Sequence, residues 1–138
     1  MNHLESLKLY TVVVADTGDM EAMTKFRPRD ATTNPSLLLK AAQMPRYRPL
    51  VDEALKFAGR LPGDRSARTG AFMDKLAVNF GCEILKIVPG RVSTEVEAGL
   101  SFDSAATAAK AHALIGLYRT AGIPRERILI KKIGRAHV

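Results

Sequence analysis

With 138 residues, 46% hydrophobic and 25% charged, the chain has the make-up of one folded domain with a real core, which excludes a disordered polypeptide. No apolar run approaches the roughly 20 residues a membrane-spanning helix needs, and Met1-Asn2-His3-Leu4-Glu5 lacks the basic and apolar regions of a signal peptide, so no membrane partner and a cytoplasmic location are expected. The net charge of +7 raises nucleic acid as a partner, but the arginines are spread along the chain without an aromatic stacking platform; no nucleic acid is expected, and small anionic substrates fit the charge as well. The single Cys82 cannot close an internal disulfide and has no Cys or His partner at metal spacing.

In chain order, Glu5 to Tyr10 is amphipathic, and Thr11-Val12-Val13-Val14-Ala15-Asp16 is a β-branched run without alternation, the pattern of a parallel strand covered on both faces. Asp19 or Gly18 caps a short helix to about Phe26, closed by Pro28. Asp30 to Asn34 reads as a second, more polar strand; Pro35 forces Asn34 to be extended, and Ser36 opens a helix ending near Gln43. Further helices are predicted over Arg46 to Ala58 and Ser66 to Gly81, separated by a loop over Gly59 to Gly63. Ile84 to Val88 is a brief apolar run broken by Pro89-Gly90, and Arg91 to Val96 has the chemistry of the third strand. Asp103 or Ser104 caps a long alanine-rich helix to about Ala121, with Gly122 at its end, and Arg127-Ile128-Leu129-Ile130-Lys131 is the fourth strand, read as buried.

Strand and helix alternating four times, with crossovers long enough to keep every strand parallel, indicate an α/β fold. In a (β/α) barrel the reactive groups gather at the C-terminal ends of the strands. Those ends are Asp16, Asn34, Glu95 and Lys131: two acids, an amide and an amine. Lys131 ends an apolar strand, where desolvation disfavours the ammonium form, so it is a candidate nucleophile. Glu95 would cost several kcal/mol if buried without a partner, so it either faces a site or lies on an exposed edge. From the residues alone, Asp16 reads more readily as a helix cap or turn residue than as a base, and Asn34 and Thr32 read as an Asx-turn and ordinary strand packing. Lys86 is a second lysine in apolar surroundings, without an acid on a matching strand end. His3, His112 and His137 have no readable triad partner.

The motifs TVVVADTGD (11–19), DATTNPS (30–36), ILKIVPGRVSTEV (84–96) and RILIK (127–131), in this order, closely resemble the transaldolase family in its bacterial form. The resemblance implies the N-terminal half of a (β/α)8 barrel, acting without metal or organic cofactor on sugar phosphates. It implies transfer of a dihydroxyacetone unit between sedoheptulose 7-phosphate or fructose 6-phosphate and glyceraldehyde 3-phosphate or erythrose 4-phosphate, in the pentose phosphate pathway. Lys131 matches the Schiff-base lysine, Asp16 the general base, and Glu95 the carboxylate that moves protons through a water. Asn34 and Thr32 match the residues that hold the dihydroxyacetone. A homodimer is implied for the full-length parent. The sequence departs from the family at Glu97-Ala98-Gly99, where Asp-Ala-Arg is usual.

Residues 1–131 thus read as an incomplete barrel domain and 132–138 as a divergent tail, expected to be an artefact of the source DNA. On this reading the chain alone neither folds stably nor catalyses, because its first and fourth strands are unpaired edges and apolar strand faces stay uncovered. The alternatives are another Schiff-base aldolase of the same barrel type, separated by whether an aldehyde or water receives the three-carbon unit, and a non-functional truncated product.

Overall fold

A computed structural model describes residues 2–134; residues 135–138 of the predicted tail, His137 among them, lie outside the described residues. Four strands form one parallel sheet in chain order: β1 (Val14–Asp16), β2 (Asp30–Thr32), β3 (Val92–Glu95) and β4 (Ile128–Lys131). The α/β fold and the four parallel strands are as expected, but the strands are shorter. β1 starts at Val14 instead of Thr11, and Arg127 belongs to a 3-10 turn ahead of β4. Nor is β1 covered on both faces: it is an edge strand, and Val14 is 48% exposed.

Alternation along the strands sorts the side chains onto two faces. Ala31, Val92, Thr94 and Ile128 are buried, and the three apolar ones among them share a core cluster with Met23, Val78, Ile84, Leu114 and Tyr118. Val14, Asp16, Thr32, Ser93, Glu95, Leu129 and Lys131 therefore share the opposite, open face. All seven are exposed or only half-buried.

Helix ends follow their caps. Asn2 and Glu5 form a reciprocal capping box on α1 (His3–Lys8). Asp19 caps α2 (Met20–Phe26) and Asp103 caps α6 (Ser104–Thr120), which settles both alternatives in favour of the carboxylate. Ser36 does not open α3 (Pro35–Ala42): Asn34 is the cap, because Pro35 has no N–H to lose at the first helical position and its fixed φ suits it. A 3-10 turn (Pro45–Tyr47) precedes α4 (Arg48–Gly59). α5 (Arg65–Leu85) runs through Gly70 and takes in Ile84 and Leu85, where the sequence suggested a separate apolar run. Ile84 is fully buried against the sheet, and that burial outweighs the roughly 1 kcal/mol helix cost of a glycine. No helix among the described residues is long and apolar enough to cross a membrane.

Two anchors tie the helices to the sheet. Arg127 donates from its guanidinium to the carbonyls of Gly90, Leu85 and Val88, fixing the start of β4 against the end of α5. On the buried face the hydroxyls of Thr94 and Tyr118 lie 2.6 Å apart, joining β3 to α6. The ring of Tyr118 fills the space beside Gly81, where an added Cβ would stand 1.8 Å from the tyrosine oxygen. Gly81→Ala is therefore expected to destabilise the fold by about 1–3 kcal/mol, since the buried ring has nowhere to go. Gly70→Ala, with nothing within 4 Å of its added methyl, should instead stabilise by about 0.5–1 kcal/mol. Urea midpoints of the two variants check both signs.

Candidate active site on the open face

The register of β3 and β4 sets Glu95 directly abreast of Lys131. Abreast residues on neighbouring strands point to the same side, and the Lys131 Nζ meets the Glu95 Oε2 at 2.9 Å. Their side chains are 33% and 11% exposed. Glu95 does not lie on a sheet edge, because β3 is an inner strand, and its carboxylate is paired instead of buried alone. β4, by contrast, is not the buried strand the sequence suggested: Leu129 is 39% exposed. Lys131 thus keeps some contact with solvent and has its charge matched by a carboxylate.

Asp16 ends β1 in register with Thr32, which is in turn in register with Ser93. Asp16 is exposed and does not cap α2; that task falls to Asp19, whose own N–H is accepted by the Thr17 hydroxyl at 3.0 Å. The turn carrying Asp16 is fitted against α3, since a Cβ on Gly18 would lie 2.9 Å from the Leu37 carbonyl oxygen. Three strand spacings of about 4.8 Å separate β1 from β4, so Asp16 and Lys131 stand at opposite edges of the sheet.

Asn34 has a dual position. Its Oδ1 accepts from the Leu37 N–H at 3.0 Å, which leaves the amide Nδ2 as the part of the group free to donate to a ligand. Asn34 and Glu95 together border a cleft of about 310 Å³ whose wall includes Leu38, Met73, Asp74 and Glu97. Burial pushes the Asp74 carboxyl up, and its 2.7 Å bond from Lys110 offsets only part of that.

Lys86 sits elsewhere. It caps the C-terminal end of α5, is 69% exposed and donates to Glu83 at 2.6 Å, a bond that pushes its pKa up. A lysine held this way is a poor nucleophile. The sequence reading passed over Ser93, which shares the open face with Glu95. The signal was the period of two along Val92-Ser93-Thr94-Glu95, in which Val92 and Thr94 are the buried partners.

The cap role of Asn34 has a measurable consequence. Asn34→Ala should lower stability by about 1 kcal/mol, and Asn34→Asp should recover most of that loss, because a carboxylate caps as well as an amide. Thermal melts of the two variants decide it.

A family model described as transaldolase/fructose-6-phosphate aldolase matches residues 13–132. The chain is 58% identical over 130 residues to a transaldolase of Shewanella baltica (strain OS185), covering 94% of this chain and 41% of that protein. It is 56% identical over 131 residues to a protein named Transaldolase 1 from Pectobacterium atrosepticum, covering 95% and 42%. The chain thus spans about two fifths of the length of the curated relatives it matches.

Proposed function

This chain belongs to the transaldolase/fructose-6-phosphate aldolase family, and from that premise we propose that it carries the Schiff-base half of a transaldolase active site. The observation that carries the reading is the Lys131–Glu95 pair on the open face, an amine and a carboxylate at 2.9 Å. Glu95 takes a proton from the ammonium, and the freed amine attacks the C2 carbonyl of the ketose. The carbinolamine then loses water, with Glu95 returning a proton through a water molecule to the leaving hydroxyl. The product is a protonated imine, which withdraws electrons from C3.

Asp16 accepts the C4 hydroxyl proton as the C3–C4 bond breaks, its electrons moving into the enamine, and the aldose departs. In the condensing direction the enamine attacks the acceptor aldehyde and Asp16 returns the proton. Asn34 donates through Nδ2 to the bound dihydroxyacetone unit, and Thr32 lines the floor beside Asp16. The net charge of +7 attracts sugar phosphates such as fructose 6-phosphate and sedoheptulose 7-phosphate. The reading carries with it a cytoplasmic location, a homodimeric full-length parent and no nucleic-acid partner. Aldolase chemistry shares every step up to the enamine; the names of the relatives cited above favour transfer.

The test is borohydride trapping with fructose 6-phosphate in a full-length family member that carries this segment. Lys131→Ala should abolish the trapped adduct and Lys86→Ala should leave it intact; trapping that survives the first change refutes the assignment. Asp16→Asn should still form the adduct but slow cleavage and transfer by about 10²–10⁴-fold, the range of a positioned base. Pre-steady-state mixing separates the two steps.

A further inference from the structure

Taking its ligand from the Schiff-base reading above, we propose that the buried hydroxyl of Thr33 is a positioning group: it fixes Asn34 relative to Glu95 and so sets how tightly the dihydroxyacetone unit is held. In the inner strands β2 and β3, Ala31 stands abreast of Val92 and Thr32 abreast of Ser93. The last backbone rung between them among the described residues runs from the Thr33 N–H to the Ser93 carbonyl at 3.0 Å. Beyond that rung the two segments part. β3 continues to Glu95 with β4 at its side, whereas the chain after Thr33 turns through Asn34 into α3. The cleft of about 310 Å³ lies in this fork, with Thr33 in its wall and Asn34 and Glu95 on the diverging arms.

At the fork the Thr33 Oγ1 also donates to the Ser93 carbonyl, at 3.0 Å. Both donors of one residue thus go to one oxygen, whose two lone pairs accept both. Thr33 is 1% exposed, and Leu38, Ala77 and Leu114, which share the cleft wall, have no acceptor in their side chains. The backbone rung already satisfies the Ser93 carbonyl, and burying a hydroxyl costs more than burying a methyl of the same shape. What the second bond adds is a fixed angle between the two arms. Asn34 needs that angle. Its Oδ1 is committed to the Leu37 N–H, which ties it to α3, while its Nδ2 is the atom offered to the ligand. The link from Asn34 to the strand carrying Glu95 is made one residue earlier, by the two Thr33 bonds. A ligand held by Nδ2 at one end and by Lys131 at the other feels any change in the fork directly.

Steady-state kinetics with fructose 6-phosphate, in the full-length family member used for trapping, compare Thr33→Val, which keeps the shape without the donor, with Thr33→Ser, which keeps the donor without the methyl. Thr33→Val should raise KM about tenfold, the worth of one directed hydrogen bond, and leave kcat within about twofold, because a loosened Asn34 weakens ground state and transition state alike. Thr33→Ser should restore KM to within about twofold of the parent value. Asn34→Asp retains the cap but has no Nδ2 donor, so adding Thr33→Val to it should raise KM no further. A role in folding alone gives the opposite pattern: fewer active molecules, hence a lower apparent kcat at unchanged KM. If Thr33→Val fails to fold by circular dichroism, Thr33→Ala replaces it and is compared with Thr33→Ser, from which it differs by the hydroxyl alone. The proposal is overturned by an unchanged KM in the hydroxyl-free variant, by a KM rise that Thr33→Ser shares, or by effects that add to those of Asn34→Asp. A parent enzyme that gives no borohydride adduct defeats the Schiff-base reading and the role of Thr33 with it; a parent that traps normally, with any of those three results, defeats the role of Thr33 alone.

Discussion

The register between β3 and β4 is the constraint on which the site depends. A shift of one residue would turn Glu95 toward the helices and bring Thr94 or Val96, both buried now, onto the open face. Three features resist that shift. Val92 and Ile128 are locked in the core, Thr94 is hydrogen-bonded to Tyr118, and Arg127 grips three carbonyls at the foot of β4. The side chains that hold the strands thus alternate with those that line the candidate site on the open face.

Much of this was legible in the sequence because it rests on local signals. Capping aspartates, prolines after strands and a glycine at φ 80° beyond α6 mark the boundaries, and the crossover lengths dictate parallel strands. What the sequence concealed depends on tertiary context. The unbroken β-branched run of 11–14 looks doubly buried, but a strand's place in the sheet decides that, and β1 lies at its edge. Ile84 and Leu85 read as part of a separate apolar run because apolar residues alone do not carry a period; they end a helix, as the core around Val78, Leu114 and Tyr118 requires. Asn34 reads from the sequence as either turn residue or ligand contact, and its two amide atoms allow both at once. The pairing of Glu95 with Lys131 spans thirty-six positions of sequence and became visible only through register.

The helix layer is organised in two parts around α5. Its sheet-facing side belongs to the cluster holding β2, β3 and β4, and its other side packs Leu76, Ala77 and Phe80 against Leu38, Tyr47 and Ala54 of the segments before it. The rings of Tyr47 and Phe80 meet edge-on at 5.3 Å, and the Tyr47 hydroxyl accepts from the Met20 N–H at the start of α2. The turn that carries Asp16 is therefore braced through α2, α3 and Tyr47 onto the far side of α5. The two edges of the sheet share one central support.

Tyr118 sets a limit on the alkaline side. Burial pushes its phenol well above the ordinary value of 10.0, and the bond to Thr94 recovers only part of the cost of charging it there. An acid whose folded pKa is raised holds its proton in the folded chain at pH values where the unfolded chain has lost it, so its share of stability is complete below about pH 10 and drains away above it. The sequence contains three tyrosines and no tryptophan, and of the three Tyr10 is 85% exposed. Ionisation of Tyr118 at high pH removes a proton from the hydroxyl pair it forms with Thr94, so the joint between β3 and α6 is where alkali loosens the sheet from its helix.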